Sequence, residues 1–295
     1  MSSLSPNLRA IVLMLIATCV FVINDTFLKL VADELPAFQT LFLRGVAATV
    51  SGIPLVLLTR NAGKIRFVAD KWVLARNVLE LGAVLCFIVA LKNMPLADIT
   101  ALGQTAPMLL LAGAAIVFRD KIGPVRILLL CLGFAGALLV AQPTAPTASP
   151  YAILAVGLAV GTAMRDLVAR KVAVEIPGPI VAMSAILVVM IGAYVAHILA
   201  EDWVAPTMTH VLYLLASGFF LTIGHLCIYL AYRHGTTAAV APFFYMFTVW
   251  AVLSGVIVFG TFPNGLALTG MVLILGSGVI IVLLDERKRR LRPLA

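Results

Sequence analysis

Ionisable side chains inside long apolar runs are the residues here with types and spacing suited to chemistry. Asp25 and Arg44 each lie about two helical turns from the same end of two successive runs, with Lys29 one turn further out. Opposite charges at matching depth predict an ion pair, serving either as a gate and substrate-polarising pair or as a structural clamp between neighbouring helices. Arg76, Asn77 and Glu80 share one helical face, because residues three and four apart are neighbours on a helix surface. Either Arg76 neutralises Glu80, or Glu80 faces an aqueous cavity and takes a cation or a proton. His225 and Tyr229 repeat the i,i+4 spacing near the middle of a later run. Arg165 and Asp166 stand near the end of another, where Arg165, Arg170 and Lys171 can snorkel toward the interface; the pair is a second gate or ion-pair candidate, weighted toward structure. Gln104, Tyr245 and Trp250 complete the set. An ionisable group at membrane depth is costly unless paired or hydrated, so each of these positions invites a functional reading.

The pattern also excludes chemistry. The sequence has no GxSxG, HExxH or phosphate-binding P-loop, and His197, His210, His225 and His234 are scattered, so neither an enzyme nor an ATP-driven pump is expected. Cys19, Cys86, Cys131 and Cys227 lie in apolar runs without a CxxC pair and read as buried free thiols. No metal and no cofactor is expected. Asn77, Glu80, Gln104, His225, Tyr229 and Tyr245 are instead expected to line one cavity, with Trp250 nearby. Mixed polar and aromatic walls suit a small amphipathic solute better than a bare ion.

The elements that must carry these residues follow from composition. The chain of 295 residues is 62% hydrophobic and 12% charged, against roughly half and a quarter in soluble domains. A hydrocarbon core needs about 20 apolar residues per helical crossing. Runs of that length fall at 8–31, 36–59, 72–91, 96–118, 124–142, 150–170, 178–200, 210–231, 237–259 and 265–284, joined by short connections rich in proline, glycine and charge. Pro107 and Pro242 are expected to bend the fourth and ninth spans. The net charge of +8 does not point to nucleic acid, since 17 of the 21 Lys and Arg residues cluster at one set of alternate span ends. By the positive-inside rule both termini are cytoplasmic, which requires an even number of spans.

A shift of 141 residues superimposes the two halves: Asn24-Asp25 falls on Arg165-Asp166, Glu34 on Glu175, Pro36 on Pro177, Cys86 on Cys227, and Gln104 on Tyr245. Such matches are rare by chance for Asp, Glu, Pro and Cys. A five-helix unit at 8–142 and a second at 149–284, followed by a basic tail at 285–295, are expected. Five is odd, so the copies insert with opposite orientation, an architecture suited to alternating access about a midplane site. The fold class is therefore all-α integral membrane, with ten transmembrane helices as two inverted five-helix repeats around a central cavity. Gly133-Phe134-Ala135-Gly136 and Gly276-Ser277-Gly278 read as close-packing surfaces of the fifth and tenth spans.

Several strings carry a family resemblance: Asp25-Thr26-Phe27-Leu28-Lys29 with Phe42-Leu43-Arg44-Gly45, then Ala90-Leu91-Lys92-Asn93-Met94-Pro95-Leu96-Ala97, and Phe118-Arg119-Asp120-Lys121 followed by Gly133-Phe134-Ala135-Gly136. The chain resembles the drug/metabolite transporter superfamily, in its branch with two EamA-type repeats, and is similar to the bacterial aromatic amino-acid exporters. It departs from the pattern at Arg119-Asp120, where the family often has Gly-Glu, and at Gly260-Thr261. The resemblance implies a ten-helix basket in a bacterial inner membrane and export of amino acids or other metabolites. The expected partners are the lipid bilayer and a small-molecule solute, with a monomer as the simplest assembly. In this reading Glu80, His225, Gln104 and the tyrosines hold the solute while Asp25 and Arg44 close the outer side. Transport of another solute class (nucleotide-like, vitamin or drug) and a lipid carrier or scramblase are the alternatives.

Overall fold

The computed structural model describes residues 5–31, 34–59, 61–93, 99, 102–120, 122–142, 151–260 and 262–290. These form ten principal helices: α1 (Pro6–Lys29), α2 (Ala37–Leu58), α3 (Lys71–Asn93), α4 (Ala106–Val117), α5 (Pro124–Ala141), α6 (Ala152–Ala169), α7 (Gly178–Ala200), α8 (Met208–His234), α9 (Met246–Phe259) and α10 (Gly265–Arg290). A 3-10 turn, Ala62–Ala69, joins α2 to α3. Among the described residues nine segments are long and apolar enough to cross a membrane, and α4 is a shorter apolar helix of 12 residues. The first residues of the predicted fourth span, the 143–150 connection and the last five residues of the basic tail lie outside the described residues.

Local chemistry sets the helix ends. Ser5 caps α1 by accepting from Leu8 N, with Pro6 in the first turn, where a missing N–H costs nothing. Thr207 and His210 satisfy each other's backbone donors in a capping box at the start of α8. α5 ends at Gln142 and α9 at Gly260, both left-handed, with φ of 44° and 65°. The two prolines behave differently from the expected bends. Pro107 sits in the first turn of α4, and Pro242 lies in a 3-10 turn, Ala241–Tyr245, between the short helix Thr237–Val240 and α9. A proline that bent a continuous helix would leave a carbonyl unpaired in the interior; starting a new segment avoids that.

Large apolar side chains such as Leu58, Ile116, Ile153 and Ile257 point outward, as lipid-facing positions require. Inside, α1 packs along α8, α3 along α6, α2 along α7 and α8, and α5 along α10; α4 lies on α6 and α9 on α1. α1 and α2 both pack on α8 but hardly touch each other's backbones. Small residues allow the closest approaches. A Cβ on Gly136 would fall 2.6 Å from the Gly270 carbonyl oxygen, so α5 and α10 meet backbone to backbone there. The partner is thus Gly270 and not Gly276, which has nothing within 4 Å of its Cβ position. Gly218 of α8 lies against the backbone of Ala47 and Ala48 on α2 in the same way.

Candidate functional site

The polar residues singled out from the sequence are nearly all buried, and α3 carries the densest group. Glu80 Oε2 accepts from Arg165 Nη1 at 2.6 Å, and Arg165 Nε donates to Asp166 Oδ1 at 2.7 Å. The pair ties α3 to α6. Arg165 is only 6% exposed, so it does not snorkel; it meets Glu80 in the interior. His225 of α8 approaches the other Glu80 oxygen at 4.0 Å and sets its ring edge-on to Phe21 of α1, centroids 5.4 Å apart.

Arg76 makes no direct ion pair with Glu80. Its Nη1 donates to Asn77 Oδ1 at 3.2 Å, Asn77 Nδ2 donates to Ser184 Oγ of α7 at 2.8 Å, and Arg76 Nε is buried without a hydrogen-bond partner. Glu80 took the cross-helix arginine because Arg165 reaches it from a helix packed alongside, whereas the i,i+4 neighbour on its own helix is committed to Asn77. No sequence pattern within one helix signals such a contact.

Asp25 and Arg44 form no ion pair within 4.0 Å, although each feels the other's charge. Asn24 Nδ2 donates to Asp25 Oδ1 at 2.8 Å, and Asn24 Oδ1 accepts from Ser217 Oγ of α8 at 2.7 Å. Asp25 itself is exposed. Arg44 is 8% exposed, and its Nε has no partner. The expected contact fails because α1 and α2 are held apart by α8, on which both pack.

The remaining candidates fall into two places. Gln104 Nε2 donates to Thr248 Oγ1 at 2.8 Å, leaving Gln104 Oε1 unpaired; Trp250 Nε1 donates to Thr18 Oγ1 of α1 at 3.2 Å; and the Tyr245 hydroxyl is buried without a partner, its ring against Gly133 and Phe134. Tyr229, by contrast, accepts from Arg233 Nη1 at 2.7 Å and packs in an apolar cluster with Val73, Ile176 and Val181. Arg233 also donates to the carbonyls of Ile176 and Val174, so this tyrosine belongs to a helix-end brace. A crevice beside Asp166, lined by Pro107, Thr162, Tyr232 and Phe244 among others, is too narrow to admit a water molecule and is no ligand pocket as it stands. Sequence reasoning passed over Asn24, Ser217, Ser184 and Thr248, since hydroxyls and amides in apolar runs carry no periodic signal. Among the described residues no group of three or more His, Cys, Asp or Glu is placed to hold a metal.

Helices of span length, outward-facing apolar surfaces and an interior stocked with polar groups mark a multi-pass membrane protein. Residues 8–142 match the EamA-like transporter family. The chain is 28% identical to a riboflavin transporter of Rhizobium johnstonii over 74% of this chain and 72% of that one. It is 25% identical to a pseudopaline exporter of Pseudomonas aeruginosa over 90% and 92%, and 24% identical to an S-adenosylmethionine uptake transporter of Rickettsia bellii over 90% of each. A solved crystal structure superposes with a TM-score of 0.81 at 20% identity, covering 95% of this chain and 98% of that chain, which establishes the fold.

Proposed function

We propose that this protein carries amino acids or related small amphipathic metabolites out of the cell by alternating access, in a bacterial inner membrane with both termini cytoplasmic. The observation that carries the reading is the set of buried polar atoms without partners among the described residues: Arg44 Nε, Arg76 Nε, Gln104 Oε1, His225 Nδ1 and Tyr245 Oη. Each such atom costs roughly 1–3 kcal/mol if left unsatisfied. A bundle that retains five of them gains when a polar solute or its water enters. Cations, acceptors and a hydroxyl together match a solute bearing both charge and apolar surface.

The alternating-access part rests on how the helices pair. If each helix is exchanged with the one five places along, α1–α8 becomes α6–α3, α2–α8 becomes α7–α3, and α4–α6 becomes α9–α1, while α2–α7 and α5–α10 return to themselves. That exchange is what two five-helix units about an in-plane twofold would give, and it supports units at 8–142 and 149–284. The relatives' names span riboflavin, pseudopaline and S-adenosylmethionine, in both uptake and export, so another metabolite class is the second reading. Counterflow of radiolabelled amino acids in proteoliposomes, with and without a pH gradient, tests the proposal. Saturable exchange of amino acids supports it; exchange of riboflavin or S-adenosylmethionine alone moves the substrate to the second reading; no exchange of any of them overturns carrier function for these solutes.

A further inference from the structure

We infer that Asp25 and Arg44 are the two ends of a clamp for a zwitterion: the solute's ammonium meets Asp25, its carboxylate meets Arg44, and the two side chains stand apart to leave room for it. The inference rests on the transport reading above and deepens it by assigning the solute's charge pattern and the residues that read it.

Three observations place the clamp. First, the two charges are within electrostatic reach of each other yet beyond ion-pair distance, on helices that share α8 as a support and whose backbones rarely approach each other. Second, both are under-satisfied. Arg44 is buried with Nε unpartnered, and Asp25 has one hydrogen-bond donor, Asn24, and an accessible carboxylate. A buried guanidinium held without a carboxylate is a costly arrangement that an anionic group of a ligand relieves.

Third, the same place in the other half is filled. Under the 141-residue shift Asn24-Asp25 corresponds to Arg165-Asp166, and Ser217 of α8 to Arg76 of α3. There Glu80, Arg165 and Asp166 join α3 to α6 through mutual contacts, and Arg76 is buried on the same helix as Glu80. On the α8 side the long Arg76 is replaced by Ser217, and Asn77 and Glu80 by Gly218 and Leu221, so the polar and charged side chains at these three positions of α3 have no charged counterparts on α8. One half is latched by its own charges; the other holds a cation and an anion that do not reach each other.

Charge balance narrows the class of solute. Among the described residues the buried Glu80 and Asp166 together with the accessible Asp25 match the buried Arg44, Arg76 and Arg165 in number, so a solute with one positive and one negative group keeps that balance, whereas a lone carboxylate or a lone amine does not. Phe21, one turn below Asp25 on the same face of α1, offers the apolar body of such a solute a ring to lie on.

The test uses the full chain in proteoliposomes preloaded with unlabelled L-amino acids, a mixture of tritiated L-amino acids as probe, and competitors with one charge removed: the amino-acid amides and the N-acetyl amino acids. The clamp predicts that blocking either group weakens competition at least tenfold. It further predicts that Asp25→Asn and Arg44→Met each cut exchange at least tenfold with monodisperse protein, and that Arg44→Lys retains more activity than Arg44→Met. Equal competition by blocked and free amino acids overturns the clamp. If riboflavin, which has no ammonium and no carboxylate, exchanges in the same vesicles and amino acids do not, the clamp fails while the protein remains a transporter. If no tested solute exchanges, both readings fall.

Discussion

The Glu80 carboxylate and the Arg165 guanidinium meet at 2.6 Å across the α3–α6 interface, each side chain 8% exposed. Arg165 also holds Asp166 at 2.7 Å, so one cation serves two buried acids. Removing one partner of a buried pair typically costs ~3–5 kcal/mol, because the other charge is left uncompensated. Arg165→Gln strands two carboxylates and Glu80→Gln leaves Arg165 with Asp166, so the first variant should be less stable than the second. Thermal unfolding of detergent-purified protein ranks them. Equal melting of Arg165→Gln and wild type would show that the pair holds nothing together.

His225 contributes differently. Its Nδ1 has no partner, and its ring makes an edge contact with Phe21, so truncation removes little protein–protein hydrogen bonding. His225→Ala should lower solute exchange at least tenfold in proteoliposomes while shifting the melting temperature less than Arg165→Gln does. Wild-type exchange by this variant would place the solute path away from α8.

At the far end of α7, Glu201 accepts from the N–H groups of Phe38 and Gln39, both at 3.0 Å, and from His197 at 3.2 Å. It caps α2 in trans, a carboxylate against the positive end of a helix. The Gln39 side chain returns the contact by bonding both backbone groups of Val204. Loss of a helix cap costs roughly 0.5–2 kcal/mol. Glu201→Ala should therefore lower stability by about that much, read by thermal or denaturant unfolding, with no change in which solutes compete for transport.

Much of this architecture was legible from the chain alone, because lipid imposes one rule on every span. Helix positions follow from apolar run length, and the ends at Ser5, Pro124 and Thr207 follow from capping chemistry. Which interior groups meet was not legible. Depth matching paired Asp25 with Arg44, and helical spacing paired Arg76 with Glu80; both rules ignore how a third helix separates or supplies partners. α8 keeps α1 and α2 apart, and α6 brings Arg165 to Glu80. Most of the polar groups singled out are buried, but their partners were assigned by rules too local to see the packing. The small-residue motif shows the same limit: Gly136 was recognisable, but its partner Gly270 lies outside the glycine-rich string at 276–278.

That glycine contact is itself testable. α5 and α10 pass with the Gly136 and Gly270 backbones against each other, and a leucine at either place would force them apart. Gly136→Leu should destabilise the protein by more than ~1–3 kcal/mol, the usual range for overpacking in a close-packed interior, since backbone and not a flexible side chain must yield. Gly276→Ala, with open space at its Cβ position, should melt like wild type. Similar effects from both would mean that the two helices do not meet through Gly136 and Gly270.

α4 decides the topology. Its 12 residues, Ala106–Val117, span about 18 Å, short of a hydrocarbon core of about 30 Å. If the fourth run fails to cross, the number of crossings between the 3-10 turn after α2 and the end of α10 becomes odd, and the two places end on opposite sides. If it crosses, they share a side. Lys64→Cys and Lys288→Cys, introduced singly into a chain whose Cys19, Cys86, Cys131 and Cys227 have been replaced, should both be shielded from a membrane-impermeant maleimide in intact cells and both react after permeabilisation. Asp202→Cys, in the connection after α7, should react without permeabilisation. Opposite behaviour of positions 64 and 288 would remove the even-numbered topology, and with it the inverted pair of units on which exchange between two accessible states depends.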